Sequence, residues 1–424
     1  MAPRCPRAAG GGSVTRRTTR ICLVVQGIYD SDPRVRRKAE ALVSAGYSVD
    51  VLALRPTGGE EAYSIEGVQV RTVDLGKKRG SLLRYAVEYA VFFAWAFARL
   101  HVDTFRRRYA VIDVNTLPDF LIFAGLFTRW MGARLVLDMH EITPEFYLSK
   151  YGDQASPWMI RWLTAVERIS YGFADRVITI NEPVRELLVS RGLDGRKLIV
   201  MTNAADEKRF APAAAAEIPP ATASQSPRFV FIYHGTLTRI YGLDIAIEAF
   251  ALAAEAIPGA EFWILGTGPE RDSLARLALD HGVGDRVKFV GQVPSSTIPA
   301  WLSESDAGVL PIRRDALLDF AFPNKLPEYI ISGRPVVISR LNAIQHYFTP
   351  DALAYAEPGD PEDLARQMRR VYADADLRRR LTATAMSEYA PIRWDVMKQR
   401  YLAMMAEQTS RAQEPWHALE GSSR

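Results

Sequence analysis

At 424 residues the chain is too long for one compact core and predicts two domains. It is 48% hydrophobic and 24% charged, the balance of a globular protein, and its two cysteines, Cys5 and Cys22, exclude a disulfide framework and predict a reducing, cytoplasmic setting. The net charge of +4 is uneven: residues 1–205 carry 29 Lys/Arg against 21 Asp/Glu, the remainder 24 against 28, and five of the early cations precede Ile21.

Residues 1–19 are rich in Arg, Gly and Ala and hold no apolar run, so they read as a disordered basic tail and not as a signal peptide. A first α/β domain is expected over 20–205. Its β-branched runs at 21–25, 49–54, 68–73, 111–114, 135–137, 176–180 and 198–200 alternate with helical patterns, the first at 35–45. A Pro- and Ala-rich linker follows at 206–227. The alternation restarts over 228–391, with strands expected at 229–233, 261–265, 287–290, 307–310, 335–338 and 352–355. Such alternation implies parallel βαβ units, hence two Rossmann-like, doubly wound domains facing a central cleft at the carboxyl ends of their strands. Trp394, Met397, Tyr401 and Met404 stripe a closing helix at about 392–412, counted with the first domain, and 413–424 reads as a tail.

One helix of the first domain, expected over 81–108, is unusual. Residues 89–98 are uninterruptedly apolar, with Phe92, Phe93, Trp95 and Phe97, yet too short to span a bilayer, which takes about twenty. Lys77, Lys78, Arg79 and Arg84 precede the run and Arg99, Arg106, Arg107 and Arg108 follow it, opposed by Glu88 and Asp103. Aromatic surface bracketed by cations suits an anionic membrane, met through 77–108; a buried helix with solvated ends is the other reading. Cations that bracket aromatics, and do not interleave with them, argue against nucleic acid.

The most informative stretch is Phe322-Pro323-Asn324-Lys325-Leu326-Pro327-Glu328-Tyr329, continuing to Gly333-Arg334-Pro335-Val336-Val337. It reads as a loop entering a helix that ends on Gly333, with a β-branched strand after it. A helix start with Lys325 on it favours phosphate, and Glu328, one turn on, can accept hydrogen bonds from sugar hydroxyls. An ordinary capped surface helix is the alternative. The pattern Pro-x-Lys-Leu-x-Glu-Tyr-x-x-x-Gly-x-Pro-Val-Val resembles the donor-site signature of the retaining, nucleotide-sugar-dependent glycosyltransferases of family 4, the group 1 type with the GT-B fold.

That resemblance covers nearly the whole chain after residue 20. It implies transfer of a sugar, with retention, from a UDP- or GDP-linked donor to a glycan or lipid-linked acceptor, in cell-surface polysaccharide or glycolipid synthesis on the inner face of the membrane. It assigns donor contacts to Gly27, Gly235, Thr236, Asp319, Phe322, Pro323, Asn324, Leu326 and Glu328. Lys325 and Arg239 would meet the diphosphate and His140, at a strand end, would face the sugar. Asp32 and Arg34 would lie on the acceptor side. The family carries an Arg soon after the glycine at 235 and a Lys before Gly242, where Thr236 and Tyr241 stand here. Many members also have two glutamates eight apart; counting back from Glu328 gives Phe320, with Asp319 adjacent as the substitute.

Other strings are weaker. Gly266-Thr267-Gly268 lacks the third glycine of a dinucleotide fingerprint, because Arg271 stands there, and the turn after 21–25 lacks the pattern as well. Asp119 reads as the cap of a helix beginning at Phe120. No metal or other cofactor is expected: Asp30-Ser31-Asp32 and Asp374-Ala375-Asp376 are the only Asp-x-Asp strings, and neither follows a strand in the way a metal-dependent GT-A transferase needs. Two rivals stay open. A nucleotide-sugar epimerase would turn over donor without acceptor, and a non-catalytic glycan-binding or scaffold partner would fail a donor-binding test.

Overall fold

The computed structural model describes residues 18–75, 82–205, 207–210 and 228–421. The expected tail up to residue 17, most of the linker, Lys77, Lys78 and Arg79, and the last three residues lie outside the described residues. Fourteen strands are present among those described, in two sheets. The first takes β1 (Arg20–Val25), β2 (Ser48–Leu54), β3 (Ala62–Ile65), β4 (Val68–Val73), β5 (Tyr109–Asn115), β6 (Arg134–Asp138), β7 (Arg176–Thr179) and β8 (Leu198–Val200) in the order β3-β4-β2-β1-β5-β6-β7-β8. The second takes β9 (Phe229–His234), β10 (Ala260–Leu265), β11 (Val287–Gly291), β12 (Ala307–Leu310), β13 (Val336–Ser339) and β14 (Ala354–Ala356) in the order β11-β10-β9-β12-β13-β14.

The expected parallel pairing holds wherever βαβ crossovers connect the strands, as in β1 on β2 and β9 on β10. Strands covered on both faces are apolar throughout, which is why they could be read as unbroken runs: every residue of β9 is buried. The strand the sequence did not announce is β3. It pairs antiparallel at the edge, and its residues are exposed or half-buried, so Ala-Tyr-Ser-Ile carries no apolar run.

The described residues of 1–113, 127–134 and 406–424 form one compact unit, and those of 114–126 and 135–405 another. In the first unit the helix Pro33–Ser44 begins where the Asp32 carboxylate accepts the N–H groups of Arg34 (3.1 Å) and Val35 (3.0 Å). Asp32, expected on an acceptor surface, is thus engaged as a helix cap. Lys38 of the same helix is fully buried, with Nζ 2.9 and 3.2 Å from the two oxygens of the equally buried Asp113 on β5. Gly27, expected to meet the donor, uses its carbonyl to accept the Leu54 N–H at 2.9 Å.

The aromatic helix is Leu82–Arg107, with one face buried and another exposed. Phe92, Ala96 and Leu100 are buried at helical spacing, while Val87, Val91, Val102 and Phe105 are exposed. Phe93, Phe97, His101 and Phe105 follow one another along the helix with ring centres 5.8 to 6.3 Å apart, and Phe127 and Trp130 extend the series, the His101 and Phe127 rings stacked with centres 3.7 Å apart. Beside it, Arg20, Arg106, Arg107 and Arg108 line a cavity of about 650 Å³. Among the described residues, no helix is long and apolar enough to cross a membrane.

The closing helix, Trp394–Gly421, runs past the expected end near 412, with Met397, Tyr401 and Met404 buried as the stripe predicts. In the first unit, Arg134 donates to the Arg411 carbonyl at 3.5 Å.

Candidate functional site

The site is built in the second unit, where the carboxyl end of β9 meets the helix Lys325–Ile331. The loop before that helix is held from three sides. Ser149 donates to Asp315 at 2.6 Å, Asn181 donates its amide to the Phe320 carbonyl at 2.8 Å, and Asn203 donates to the Phe322 carbonyl at 3.3 Å. The helix ends as its sequence predicts: Gly333 has φ 69° and the Arg334 N–H returns to the Tyr329 carbonyl at 2.9 Å.

Gly235 explains how Lys325 is placed. Its φ is 137°, and a Cβ there would lie 2.2 Å from Lys325 Cε and 2.8 Å from Nζ. The lysine therefore lies across the bare backbone of the glycine. Its ammonium sits 4.1 Å from the centre of the Tyr241 ring and 5.1 Å from that of Tyr233, so two aromatic faces hold the charge. Burial in this setting pulls its pKa from the ordinary 10.5 down to about 8, against the opposing pull of Glu328.

A cavity of about 330 Å³ opens beside this arrangement, lined by His234, Gly235, Thr236, Gly266, Gln292 and Glu328 among others. Glu328 Oε2 lies 3.3 Å from Nε2 of the buried His234, whose ring meets Tyr329 edge-on. The glycine pair at 266 and 268 serves chain packing and not a dinucleotide: a Cβ on Gly266 would fall 1.9 Å from the Gly235 carbonyl oxygen. That closeness lets the ends of β9 and β10 share a floor, with the Gly235 N–H donating to Leu265 at 2.8 Å and the Leu237 N–H to Thr267 at 3.0 Å.

Of the residues expected at the donor site, Gly235, Thr236, Lys325 and Glu328 come together. Leu326 is fully buried and Phe322 nearly so, the latter against Tyr347 and Phe348, so both side chains belong to the core and not to a ligand surface. Pro323 is half-buried and Asn324 exposed at the helix start, where Asn324 makes no side-chain cap. Asp319 is occupied: Oδ1 accepts the Asn342 N–H at 3.0 Å and lies 3.3 Å from Arg314 Nε. Arg239 is exposed on the turn Arg239–Tyr241 and does not line the cavity. Asp119 does not cap a helix at Phe120; it is buried, accepts the Thr143 hydroxyl at 2.7 Å, and is held up to a pKa of about 6 by burial.

At the end of β6, His140 is fixed by three contacts. Its N–H donates to the Thr116 hydroxyl at 3.1 Å, and Nε2 lies 3.3 Å from Asn115 Oδ1 and 3.6 Å from Asp138 Oδ2. The helix Thr143–Tyr151 that follows is tied down by Arg191, which pairs with Glu145 and, at 3.1 Å, with Glu167. Between them Glu141 is half-buried, and burial raises its carboxyl to a pKa of about 7.

The sequence reading passed over Tyr233, Tyr241 and His234. Tyr241 was visible only as a departure from the family pattern; that its ring would replace a cation by holding one required the fold. Chemically, the arrangement offers a concentrated positive charge beside a carboxylate and a histidine, suited to a phosphate joined to a group rich in hydroxyls.

Comparison with known proteins agrees with this chemistry. Residues 31–204 match the family model described as glycosyl transferase 4-like domain, and residues 228–374 the one described as glycosyl transferases group 1. The chain is 35% identical over 141 residues to a lipopolysaccharide core biosynthesis glycosyltransferase, LpsE, of Rhizobium meliloti, a match covering 33% of this chain and 38% of that protein. It spans between 38% and 55% of the length of three such curated relatives. In fold it is similar to sucrose-phosphate synthase of Thermosynechococcus elongatus, with a TM-score of 0.73 at 20% identity over 92% of this chain and 99% of that one. It is also similar to the HepE protein of Anabaena in complex with UDP-glucose, with a TM-score of 0.66 at 16% identity over 92% and 100% of the two chains.

Proposed function

Because the chain belongs to the group 1 glycosyltransferases with the GT-B fold, we propose that it transfers a sugar from a UDP- or GDP-linked donor to a glycan or lipid-linked acceptor, with retention at the anomeric carbon. The observation that carries this reading is Lys325, laid across Gly235 between two tyrosine rings, with Glu328 on the next turn of its helix. Lys325 meets the diphosphate; Glu328, oriented by His234, accepts the ribose hydroxyls. HepE is a fold neighbour crystallised with UDP-glucose, which favours a uridine donor.

In this reading no side chain acts as nucleophile. The diphosphate gathers charge as it leaves, Lys325 stabilises that charge, and the departing oxygen helps to deprotonate the acceptor hydroxyl. His140, held by Asn115 and Asp138, is turned toward the sugar. The protein supplies the countercharge itself, so activity is expected to survive a chelator. The relative in lipopolysaccharide core synthesis supports an acceptor of the cell-surface glycan type. The exposed face of Leu82–Arg107, with its aromatic series and neighbouring arginines, supports a cytoplasmic enzyme docked on the inner face of an anionic membrane.

Thermal stabilisation by a panel of UDP- and GDP-sugars tests the donor reading. A ligand at a hundred times its Kd adds about 2.7 kcal/mol of stability. A panel in which no nucleotide or nucleotide-sugar shifts the melting temperature refutes it.

A further inference from the structure

The cavity of about 650 Å³ in the first unit takes no part in the donor reading. It lies at the amino ends of the neighbouring strands β1 and β5, the opposite end of that sheet from Gly27. Arg20, Arg106, Arg107 and Arg108 line it, and among the described residues of its lining none is acidic. Two carboxylates stand behind this wall. Asp50 takes Arg20 at 3.0 Å, Arg107 at 2.6 Å and the Tyr109 hydroxyl at 2.8 Å, and Asp103 takes Arg71 at 2.8 Å and Arg99 at 3.5 Å. Arg106 and Arg108 add to the positive side. Arg108 is placed there against its backbone preference: its φ is 50°, and its N–H returns to the Thr104 carbonyl at 3.2 Å, so it closes the helix Leu82–Arg107 in the conformation that suits glycine. The helix dipole favours cations in the last turn. It calls neither for a side chain at the left-handed position nor for Arg20, which comes from a strand.

The same cavity is bordered by an exposed aromatic ridge. Phe105 lines it, with its ring 5.4 Å from that of Phe127, which is 6.0 Å from that of Trp130; Phe105 is 63% exposed and Trp130 83%. Guanidinium forks match phosphate oxygens, and aromatic rings suit the boundary between lipid headgroups and acyl chains. The volume falls in the range of organic-ligand pockets, about 300–1,000 Å³, and exceeds what a bare phosphate fills. We propose that this cavity binds the headgroup of one anionic phospholipid, its phosphate on Arg106 and Arg108 and its acyl chains over Phe105 and Trp130. The inference rests on the membrane reading above and narrows it from a charged face to a site for a single lipid.

Calorimetry on the full chain would use dihexanoyl phosphatidylglycerol below its micelle concentration, with dihexanoyl phosphatidylcholine and glycerol phosphate as controls. Sedimentation with phosphatidylglycerol vesicles runs alongside. The wild type should bind one phosphatidylglycerol per chain, about tenfold or more tighter than either control. Arg106→Gln with Arg108→Gly should lose about tenfold or more of that affinity. Its melting temperature should stay within a few degrees of wild type, since both side chains are exposed and glycine suits the backbone at 108. Phe105→Ser with Trp130→Ser should bring the lipid down to the affinity of glycerol phosphate, and both variants should bind UDP as the wild type does. If the arginine variant keeps the wild-type affinity, or phosphatidylcholine binds equally well, the inference is overturned while vesicle binding by the wild type upholds the membrane reading. If glycerol phosphate binds as tightly as the lipid, the site takes a free phosphate and the inference is overturned. If the wild type does not sediment with the vesicles, the membrane reading falls and takes this inference with it.

Discussion

The depressed pKa of Lys325 makes nucleotide binding depend on pH in a defined direction. Burial between the Tyr233 and Tyr241 rings brings the ammonium to a pKa of about 8. The side chain is then about nine-tenths charged at pH 7 and about one-tenth charged at pH 9. A diphosphate is fully ionised across this range, since its last proton leaves near pH 6. UDP affinity should therefore drop about 25-fold between pH 7.5 and pH 9.5, and binding near pH 8.5 should take up a proton. Calorimetry in buffers of different ionisation heat measures both quantities. In Lys325→Ala the affinity should be low and flat with pH. Stability responds with the other sign: the folded pKa lies below the ordinary 10.5, so the unfolded chain holds more protons between about 8 and 10.5, and folding gains as pH rises through that window. Wild-type affinity that stays level from pH 7.5 to 9.5 would refute the placement of Lys325 against the phosphates.

Three further outcomes are expected. Glu328→Ala should weaken UDP binding by about tenfold or more, the loss of a charge-assisted hydrogen bond, without lowering the melting temperature by more than a few degrees. Lys38→Met leaves Asp113 buried without its ion-pair partner and should destabilise the chain by about 3–5 kcal/mol in urea titration, whereas joint replacement of Lys38 and Asp113 by apolar residues should recover much of the loss. Sedimentation with liposomes should show binding to anionic but not zwitterionic vesicles, weakened by 1 M salt and by Arg106→Ser with Trp130→Ser; equal binding to both vesicle types would remove the membrane from the proposal.

The parts of this fold legible in the sequence are those that repeat or punctuate. Unbroken β-branched runs gave the buried strands, and Gly333 gave the helix end next to the site. The edge strand β3 escaped because half-exposed Ala-Tyr-Ser-Ile carries neither alternation nor an apolar run. The nucleotide grip was visible in one segment, since Lys325 and Glu328 share a helix. The groups that tune it come from elsewhere: Tyr233 and Tyr241 lie more than eighty residues earlier in the chain. No local pattern tells that a ring will lie under an ammonium, or that Asp319 will be taken up by Arg314 and a main-chain N–H. Phe322 and Leu326 show the converse error, since a motif shared across a family includes the residues that pack its scaffold as well as those that touch its ligand.

The way Lys325 is held bears on what else will enter the site. Among the described residues no carboxylate lies within hydrogen-bonding distance of its ammonium; ring faces occupy that place. An incoming anion has no counter-ion to displace, and a departing one leaves none behind. The vacated pocket is thus open to any small oxyanion, and inorganic phosphate or sulfate in the medium should act as a competitive inhibitor against the donor. Choice of buffer would then change the apparent KM for donor while leaving kcat unaltered.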